Sequence, residues 1–401
     1  MILSKLDTDL YKFTVSNAYK LLYPQAEGTF KFQDRSKKVY TNEEFSKLCL
    51  ELYKLKDVGM SNEHFEWCVK NIPYIHRDYW EWLRDSFQFE PMKINCYLDK
   101  EKHLHIEVTD LMYKVTLYEV PILAIVSEFN FSKWKYDFSA TIDKLNEKIK
   151  LANEFHLNFS EFGTRRRCNN TVQHHVINIL RDKVPTFSGT SNVHFACEFN
   201  IKAIGTYPHE WPMFHAAITG GYIEANNYAM EDWVKVYDGY LGTALIDAFT
   251  TPVFLKNFSK KLAHLFDGVR QDSGDEYKIG NMIIDRYKEL GIDPRKKFII
   301  FSNALDFEKY SEIARYFEGK IGVSAGIGTN LTNDPVIMEE EENYKPSNIV
   351  MKLDKCRINQ KQSWHNCIKI SDDVGKEMGN RSDILMAKYQ LGLIDYLSYN
   401  G

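Results

Sequence analysis

The sequence predicts an α/β protein whose larger part is a barrel of strand–loop–helix units. Between roughly residues 155 and 330, short apolar segments repeatedly end in small or polar residues, and helical patterns follow several of them. Seven such strand ends occur there, and functional groups on so many strand ends must converge on one place. A barrel meets this requirement because its chemistry sits on the loops at the C-terminal ends of the strands. An open doubly wound sheet, which gives a similar rhythm, is the alternative.

The N-terminal part, up to about residue 125, is predicted as an α+β region. Residues 4–24 have the apolar spacing of a helix, with Asp7 and Asp9 near its start and Pro24 at its end. The segment "GTFKFQDRS" alternates like a strand, and residues 41–90 are mostly helical in pattern. Three further segments, "KINCYLD", "HLHIEVTD" and "YKVTLYEV", predict successive strands of an antiparallel or mixed sheet.

Helices and a C-terminal tail complete the prediction. The helical candidates of the barrel region are Asn170–Arg181, Glu276–Leu290 and Asp306–Phe317. After residue 335, "NIVMKLDKC" predicts a strand and Arg381–Leu393 a short helix, and we expect this tail to pack back on the N-terminal region. The predicted domains are therefore residues 1–125 completed by residues 336–401, and residues 126–335.

Composition excludes several classes of protein. A net charge of −4 argues against a generally basic nucleic-acid binder. No stretch reaches the roughly 18 apolar residues that cross a bilayer, and the first residues lack the pattern of a signal peptide. The seven cysteines form no CxxC pair, which predicts reduced thiols in a cytoplasm and argues against a structural zinc site.

Arginine and glycine at the strand ends indicate anion binding. In "EFGTRRR", Arg165 and its neighbours are either surface cations or a site for phosphate or carboxylate, and Phe162 could stack on a flat ring. In "GVSAGIGTN", Gly326 and Gly328 let backbone amides approach an anion, with Thr329 beside them, although a lone GxG also occurs in ordinary turns.

Acidic residues at two other strand ends point to a phosphorylated sugar. Helix capping explains Ser273 and one acid of "GVRQDSGD", but it leaves Arg270 together with a second acid, Asp272 or Asp275, unexplained. Carboxylates suit sugar hydroxyls or magnesium, and arginine suits phosphate. Asp247 ends the apolar segment of "LIDAFTT", where a carboxylate needs a partner or a metal.

The segment "GTYPHEW" holds a histidine rigidly. Pro208 fixes its own φ and cannot continue a strand, so His209 is expected at the mouth of an element. Either Glu210 or Asp247 could bind one ring nitrogen and leave the other nucleophilic, an arrangement suited to phosphoryl or proton transfer. Together, the strand ends predict an enzyme that acts on a phosphorylated sugar.

These motifs, in this order and spacing, resemble the bacterial type of nicotinate phosphoribosyltransferase. The resemblance runs from "DTDLYKFTVSNAYKLLYP" through "EFGTRRR", "GTSNV", "GTYPHEW", "LIDAFTTPVF", "GVRQDSGD", "FSNALD" and "GIGTNL" to "IKISDDVGK". It implies an irregular (β/α) barrel plus an α/β domain built from the N-terminal region and the C-terminal tail, in a homodimer with the site at the subunit interface. It also implies synthesis of nicotinate mononucleotide and diphosphate from nicotinate and phosphoribosyl pyrophosphate (PRPP), the first step of NAD salvage from nicotinate, coupled to ATP hydrolysis.

The resemblance implies a role for each matching residue. His209 is the residue phosphorylated by ATP, Phe162 and a Tyr11 from the partner subunit enclose the pyridine ring, and Arg165 lies beside it. Arg270 and Asp272 meet the pyrophosphate or ribose. The 5′-phosphate is held by Ser302, Asn303, Gly326, Gly328 and Thr329. Mg²⁺ is expected largely on the substrate phosphates, with its protein ligands open, and no organic prosthetic group is implied.

The nearest alternative is a nicotinamide phosphoribosyltransferase, which has the same fold. The resemblance implies that Ser191 stands where the nicotinamide enzymes carry an aspartate that accepts the amide. An acid there would repel a carboxylate substrate, so its absence favours nicotinate. A decarboxylating quinolinate enzyme has no use for a phosphorylated histidine, and a non-catalytic nucleotide-binding relative would not need His209, Arg270 and Asp272.

Overall fold

The computed structural model describes residues 1–338, 344–373 and 376–394. These residues contain thirteen strands and seventeen α-helices. The strands are β1 Glu27–Asp34, β2 Ile94–Leu98, β3 Leu104–Leu111, β4 Tyr136–Asp137, β5 Phe159–Glu161, β6 Phe187–Thr190, β7 Thr243–Leu245, β8 Gly268–Gln271, β9 Phe298–Phe301, β10 Gly322–Ile327, β11 Val336–Ile337, β12 Ile349–Arg357 and β13 His365–Asn366. The helices are α1 Leu10–Leu22, α2 Asn42–Tyr53, α3 Asn62–Asn71, α4 Arg77–Asp85, α5 Met112–Val115, α6 Glu119–Phe131, α7 Phe138–Glu154, α8 Asn170–Lys183, α9 Val193–Glu198, α10 Glu210–Thr219, α11 Ala225–Tyr237, α12 Thr251–Asn257, α13 Lys260–Leu265, α14 Glu276–Glu289, α15 Phe307–Phe317, α16 Thr329–Thr332 and α17 Arg381–Gln390.

An antiparallel sheet joins the two ends of the chain. Its strand order is β13-β12-β1-β3-β2, so β12 from the C-terminal part lies between β13 and β1. Strand β1 pairs along its whole length with β12, from Glu27 opposite Arg357 to Asp34 opposite Ile349. The tail strand thus packs on the N-terminal region as the sequence predicts, while the exact domain boundaries stay a prediction.

A parallel sheet forms the frame of the site. Its strand order is β6-β5-β10-β9-β8-β7, and every neighbouring pair is parallel. Residues 201–209 lie between the outer strands β6 and β7. Ile204 N donates to Thr190 O of β6 at 2.8 Å, and Tyr207 hydrogen-bonds to the backbone of Leu245 in β7. The α/β fold class is confirmed, and a loop rather than a strand ladder spans the gap between β6 and β7.

The segment "YKVTLYEV" is helical, so the prediction of a strand there is wrong. Residues 112–115 form α5, a short 3-10 turn follows, and α6 begins at Glu119. Residues 115–120 of this segment are all buried, as is the rest of α6. A helix buried on all sides lacks the polar stripe that distinguishes it from a strand, so its β-branched apolar residues were misleading.

The first helix begins at Leu10, later than predicted, because Asp7 and Asp9 have other roles. Asp9 occupies the N-cap position without capping the helix. Asp7 accepts two hydrogen bonds from the buried Arg167, at 2.7 and 2.9 Å, and Glu128 accepts a third at 2.8 Å. Asp7, which resembles a helix cap in the sequence, is thus a buried counter-ion, and Asp9 lines the cavity described below.

No helix in the described ranges is long and apolar enough to span a membrane.

Candidate active site

The C-terminal ends of the parallel strands open into one cavity of about 1110 Å³. Parallel strands end at the same edge of a sheet, so the loops after β5, β8, β9 and β10 meet there. Of the thirteen site residues that the sequence singles out, twelve line this cavity, namely Tyr11, Phe162, Arg165, Ser191, His209, Arg270, Asp272, Ser302, Asn303, Gly326, Gly328 and Thr329. The thirteenth, Asp247, is fully buried and contacts His209.

His209 stands at the start of α10, directly after Pro208, and only 7% of its side chain is exposed. Its Nε2 lies 3.0 Å from Asp247 Oδ1. The other oxygen of Asp247 accepts a hydrogen bond from Ser273 Oγ at 2.6 Å and lies 3.3 Å from Lys369 Nζ. Asp247 therefore fixes the orientation of the imidazole and is itself fixed by two further contacts.

Glu210, the other carboxylate that could have held His209, points elsewhere. Its carboxylate binds the fully buried Lys12 and accepts a hydrogen bond from Thr116 Oγ1 at 2.7 Å. Lys12 also contacts Glu119 at 2.5 Å. Of the two alternatives for the residue that holds His209, the structure selects Asp247.

Burial and nearby charges keep the His209 imidazole neutral. Burial first, and then the Lys369 ammonium, lower the pKa of His209 to about 4. Burial acts to raise the pKa of Asp247, but Lys369 and His209 outweigh it and hold that pKa well below its usual value. A neutral imidazole that donates Nε2–H to Asp247 retains the lone pair on Nδ1, which makes no hydrogen bond to the described residues. That nitrogen can act as a nucleophile.

His209, Asp247 and Asp272 could in principle hold a metal ion, since each offers a ligand atom within 4.8 Å of the others. Mg²⁺ prefers oxygen ligands, however, and the Lys369 ammonium already faces Asp247. Asp272 is the member of this group whose carboxylate lines the cavity, with 30% of its side chain exposed. The cluster therefore fits a role in orienting the histidine, and Asp272 alone fits an ion carried by substrate phosphates.

Strand β8 and the loop after it present Arg270 and Asp272, respectively, to the cavity. Burial tends to raise the pKa of Asp272, but Arg270 and His209 lower it below its usual value, so the carboxylate is ionised. Ser302 Oγ donates to Asp272 Oδ1 at 2.7 Å. Arg270 Nε is buried without a hydrogen-bond partner in the described structure. An unsatisfied guanidinium donor at a cavity wall suits an anionic ligand.

A glycine makes room for the aromatic ring of Phe162. A Cβ on Gly326 would lie 2.3 Å from the Phe162 ring, and one on Gly328 would lie 3.1 Å from the Phe162 carbonyl oxygen. Gly326 is thus required for the packing of the Phe162 ring. Tyr11 lines the same cavity within the same chain, whereas the family resemblance implies a Tyr11 from the partner subunit. The start of α1 reaches the cavity because Leu10 N donates to Ser191 O at 2.7 Å.

The part of the cavity lined by Phe162, Arg165, Tyr11 and Ser191, which we call the ring pocket, is not free of acids. The Ser191 hydroxyl donates to Asp9 Oδ1 at 2.8 Å, and Asp9 lines the cavity. The Arg165 guanidinium lies near this carboxylate, with Nε 3.9 Å from Asp9 Oδ2. Asp9 thus supplies an acid to the ring pocket although position 191 does not.

Comparison with known proteins accounts for this combination of residues. Residues 157–393 match the model of the nicotinate phosphoribosyltransferase (NAPRTase) family, and residues 6–127 match the model of its N-terminal domain. The chain belongs to the nicotinate phosphoribosyltransferase family.

Similar members of the family match the chain over nearly its whole length. A nicotinate phosphoribosyltransferase of Desulforapulum autotrophicum is 38% identical over 389 residues, which cover 96% of this chain and 97% of the relative. A crystal structure of the Porphyromonas gingivalis enzyme has 42% identity and a TM-score of 0.93, covering 98% of this chain and all of that chain. The Vibrio cholerae structure has 32% identity and a TM-score of 0.90, covering 99% and 96%.

In this member of the family, several cavity cations escaped the sequence analysis. Nine Lys and Arg and five Asp and Glu line the cavity among the described residues, whereas the whole chain has a net charge of −4. Six of these cations were not assigned to the site from the sequence, namely Arg35, Lys38, Lys345, Lys352, Lys369 and Lys376. They lie just after β1, on β12 or just before it, and in the C-terminal part, and none of these segments carries a phosphate motif. Only the pairing of β1 with β12 brings that face to the cavity.

The other candidate residues beside Arg165 and Asp272 occupy different environments. Arg166 lines the cavity and donates to Ile349 O at 3.1 Å. Arg167 is fully buried in its ion pairs and is structural. Asp275, offered with Asp272 for sugar binding, caps α14 by accepting from Lys278 N at 2.7 Å, so for this acid the capping interpretation is right.

Proposed function

We propose that the protein forms nicotinate mononucleotide and diphosphate from nicotinate and PRPP, and that ATP hydrolysis is coupled to this reaction through phosphorylation of His209. The observation that supports this most strongly is the His209–Asp247 pair at the wall of a cation-rich cavity, in a chain that belongs to the family throughout. A family member that only bound nucleotides would have no use for a neutral, oriented imidazole.

Ribosyl transfer needs positioning and charge stabilisation more than a base. The lone pair of the pyridine nitrogen attacks C1 of the ribose, the C1–O bond breaks, and the electron pair leaves with diphosphate. Phe162 and Tyr11 hold the ring, and Arg165 faces its carboxylate. Arg270 and the other cavity cations stabilise the departing polyanion.

The ATP-dependent step uses Nδ1 of His209 as the nucleophile. A bond forms from this nitrogen to the γ-phosphorus, and ADP leaves with the electrons of the broken P–O bond. Asp247 accepts Nε2–H and stabilises the positive charge that develops on the ring. Water later cleaves the P–N bond and releases phosphate, which restores the neutral imidazole.

Mg²⁺ fits the site as an ion carried by the phosphates of ATP or PRPP. Asp272 is the cavity carboxylate that could contribute a ligand, since it is ionised and partly exposed. When bound, the ion would neutralise part of the charge of the diphosphate.

The partners and location of the protein stay proposals. A homodimer is expected from the family resemblance alone, whereas the ring pocket contains both Phe162 and Tyr11 within one chain. All seven cysteines are free, in keeping with a reducing cytoplasm. The cavity residues suit nicotinate, PRPP and ATP as ligands.

Product formation tests the proposal directly. Purified protein is supplied with PRPP, Mg²⁺ and either nicotinate or nicotinamide, with and without ATP, and each mononucleotide is measured. We expect nicotinate mononucleotide, with a rate that rises when ATP is present. If nicotinate mononucleotide formed at the same rate with and without ATP, the proposed ATP coupling would be wrong. If only nicotinamide gave a mononucleotide, the substrate would be nicotinamide and not nicotinate.

A further inference from the structure

The ring pocket contains a buried carboxylate, that of Asp9, which the proposed reaction does not yet use. Residues 6–10 run beside residues 191–194, where Val193 N donates to Thr8 O at 3.0 Å. This pairing places Asp9 on the cavity wall although the residue is only 2% exposed. Its Oδ1 accepts the hydroxyl of Ser191 at 2.8 Å. Its nearest cation is Arg165, at 3.9 Å, which is too far for a hydrogen bond.

The charges that face Asp9 are already balanced without a substrate. Arg165 lies between two carboxylates, since Glu119 Oε1 is 3.9 Å from its NH1. Tyr11 from α1 and the buried Glu161 from β5 also face Asp9. Glu161 is held by its own donors, including Thr190 Oγ1 at 2.6 Å. Glu119 is paired with Lys12 at 2.5 Å and attracted by Lys352, so Arg165 is the cation that compensates the charge of Asp9.

A nicotinate carboxylate that binds Arg165 must enter this balanced group. Two ionised carboxylates in a buried pocket repel each other strongly, and a proton shared between them removes the repulsion. Burial already raises the pKa of Asp9 above its usual value. Asp9 therefore requires less free energy to protonate than an exposed aspartate does.

We infer that Asp9 takes up a proton from solvent when nicotinate binds, and that it thereby determines how the pocket accepts an anionic ring. This inference rests on the proposed function, since it concerns the nicotinate subsite. The proton moves from the buffer to Asp9 Oδ2, and the O–H formed donates a hydrogen bond to the nicotinate carboxylate while Arg165 compensates its charge. The proton returns to solvent when the ring leaves. A neutral ring such as nicotinamide requires no proton.

Calorimetry can count this proton. Nicotinate is titrated into the full-length protein in phosphate and in Tris buffers at the same pH, because the difference in heat reports protons taken from the buffer. We expect uptake approaching about one proton per nicotinate in the wild type. In Asp9→Asn we expect uptake close to zero with binding retained, because the amide N–H replaces the acid O–H. Asp34→Asn makes the same change at another cavity carboxyl and should leave the uptake at the wild-type value.

The pH dependence of the kinetics provides an independent readout. Protonated Asp9 is the form that binds nicotinate, so the KM for nicotinate should increase as pH rises through the pKa of Asp9 in the free protein. In Asp9→Asn this increase should disappear from KM, whereas a merely structural role of Asp9 would lower kcat at every pH. The KM of PRPP should show no such difference between the two proteins.

The outcomes separate this inference from the proposed function. Nicotinate mononucleotide formed with no proton uptake, or with uptake unchanged in Asp9→Asn, would overturn the role of Asp9 and leave the reaction standing. Absence of both nicotinate binding and product would overturn the proposed function, and this inference with it.

Discussion

The hydrogen bond between His209 and Asp247 is the contact on which ATP coupling depends. Asp247→Asn preserves the size of the side chain but removes the charge that fixes the imidazole tautomer. We expect the ATP-stimulated rate to fall about 10–100-fold, as for other residues that orient a reacting group. Synthesis without ATP should continue. The ratio of the rates with and without ATP, and the ³²P retained on the protein from labelled ATP, measure the effect.

A second histidine–aspartate pair provides the control for this substitution. His215 Nε2 lies 3.1 Å from Asp232 Oδ2, and neither residue lines the cavity. Asp232→Asn should therefore leave the ATP ratio unchanged even where it lowers stability. Equal losses of coupling in the two variants would show that the effect in Asp247→Asn comes from general destabilisation.

Gly326 tests whether the position of Phe162 matters for the ring. The Cβ of Gly326→Ala would lie 2.3 Å from Phe162, so the ring must move, at a cost of about 1–3 kcal/mol. We expect the KM for nicotinate to rise while the affinity for PRPP, measured by fluorescence or calorimetry, changes less. Gly221→Ala is the matched control, because nothing lies within 4 Å of its added Cβ. A loss of PRPP affinity larger than the loss for nicotinate would assign Gly326 to the phosphate instead.

Site residues that stand beside a recognisable short motif could be predicted from the sequence. His209 after Pro208, and Arg270 before a capped helix, both carry their context within a few positions. Lys352 and Asp9 could not be predicted, because their place in the cavity depends on pairing between segments distant in sequence. Asp9 in particular resembled a helix cap, since capping and burial require the same residue types.

At the scale of elements, the helices that follow strands were predicted well because polar caps announce them. Helices α8, α14 and α15 each begin after an Asn or Asp whose side chain accepts a backbone N–H. Residues 113–120, which span most of α5, the 3-10 turn and the start of α6, were mistaken for a strand because residues 115–120 are all buried and show no polar stripe. The order of the strands in each sheet could not be predicted, since only contacts distant in sequence determine it.

Arg167 joins three elements, and its loss should weaken all of them. It is fully buried, and it binds Asp7 before α1 and Glu128 of α6. Arg167→Met leaves two buried carboxylates without their cation, which should lower the free energy of unfolding by ~3–5 kcal/mol. Denaturant unfolding followed by circular dichroism measures the change. Arg181→Met, which removes an exposed pair with Asp182, should change stability by less than about 0.5 kcal/mol.

At the scale of the whole molecule, the cavity lies between the two sheets and draws cations from both. Arg270 is on β8 of the parallel sheet and Arg165 lies in the turn after β5, while Lys352 is on β12 of the antiparallel sheet. A polyanion between these sheets binds only the folded arrangement. At about 100 times its Kd such a ligand stabilises the fold by about 2.7 kcal/mol. Higher ionic strength should reduce this gain, because it screens the charges that face the ligand.

Lys352 should affect the free and the bound protein in opposite directions. Burial, together with Lys369 and Arg165, lowers the pKa of Lys352 to about 8 despite the attraction of Glu119, so its charge is disfavoured in the empty fold. Because the pKa of Lys352 is lower in the folded than in the unfolded protein, the free energy of unfolding decreases as pH falls from the unfolded-state pKa towards about 8. Lys352→Met removes this penalty, so the melting temperature without ligand should stay the same or rise.

PRPP distinguishes a binding role of Lys352 from a structural one. The increase in melting temperature that PRPP produces should be smaller in Lys352→Met than in the wild type, because the cavity has lost a cation that faces the phosphates. Lys361→Met, at an exposed position outside the cavity, should show the wild-type increase. If Lys352→Met destabilised the free protein and left the effect of PRPP intact, Lys352 would be a structural cation. The combination expected here, an unharmed fold with weaker ligand stabilisation, arises only when a charge is kept in the cavity for its ligand.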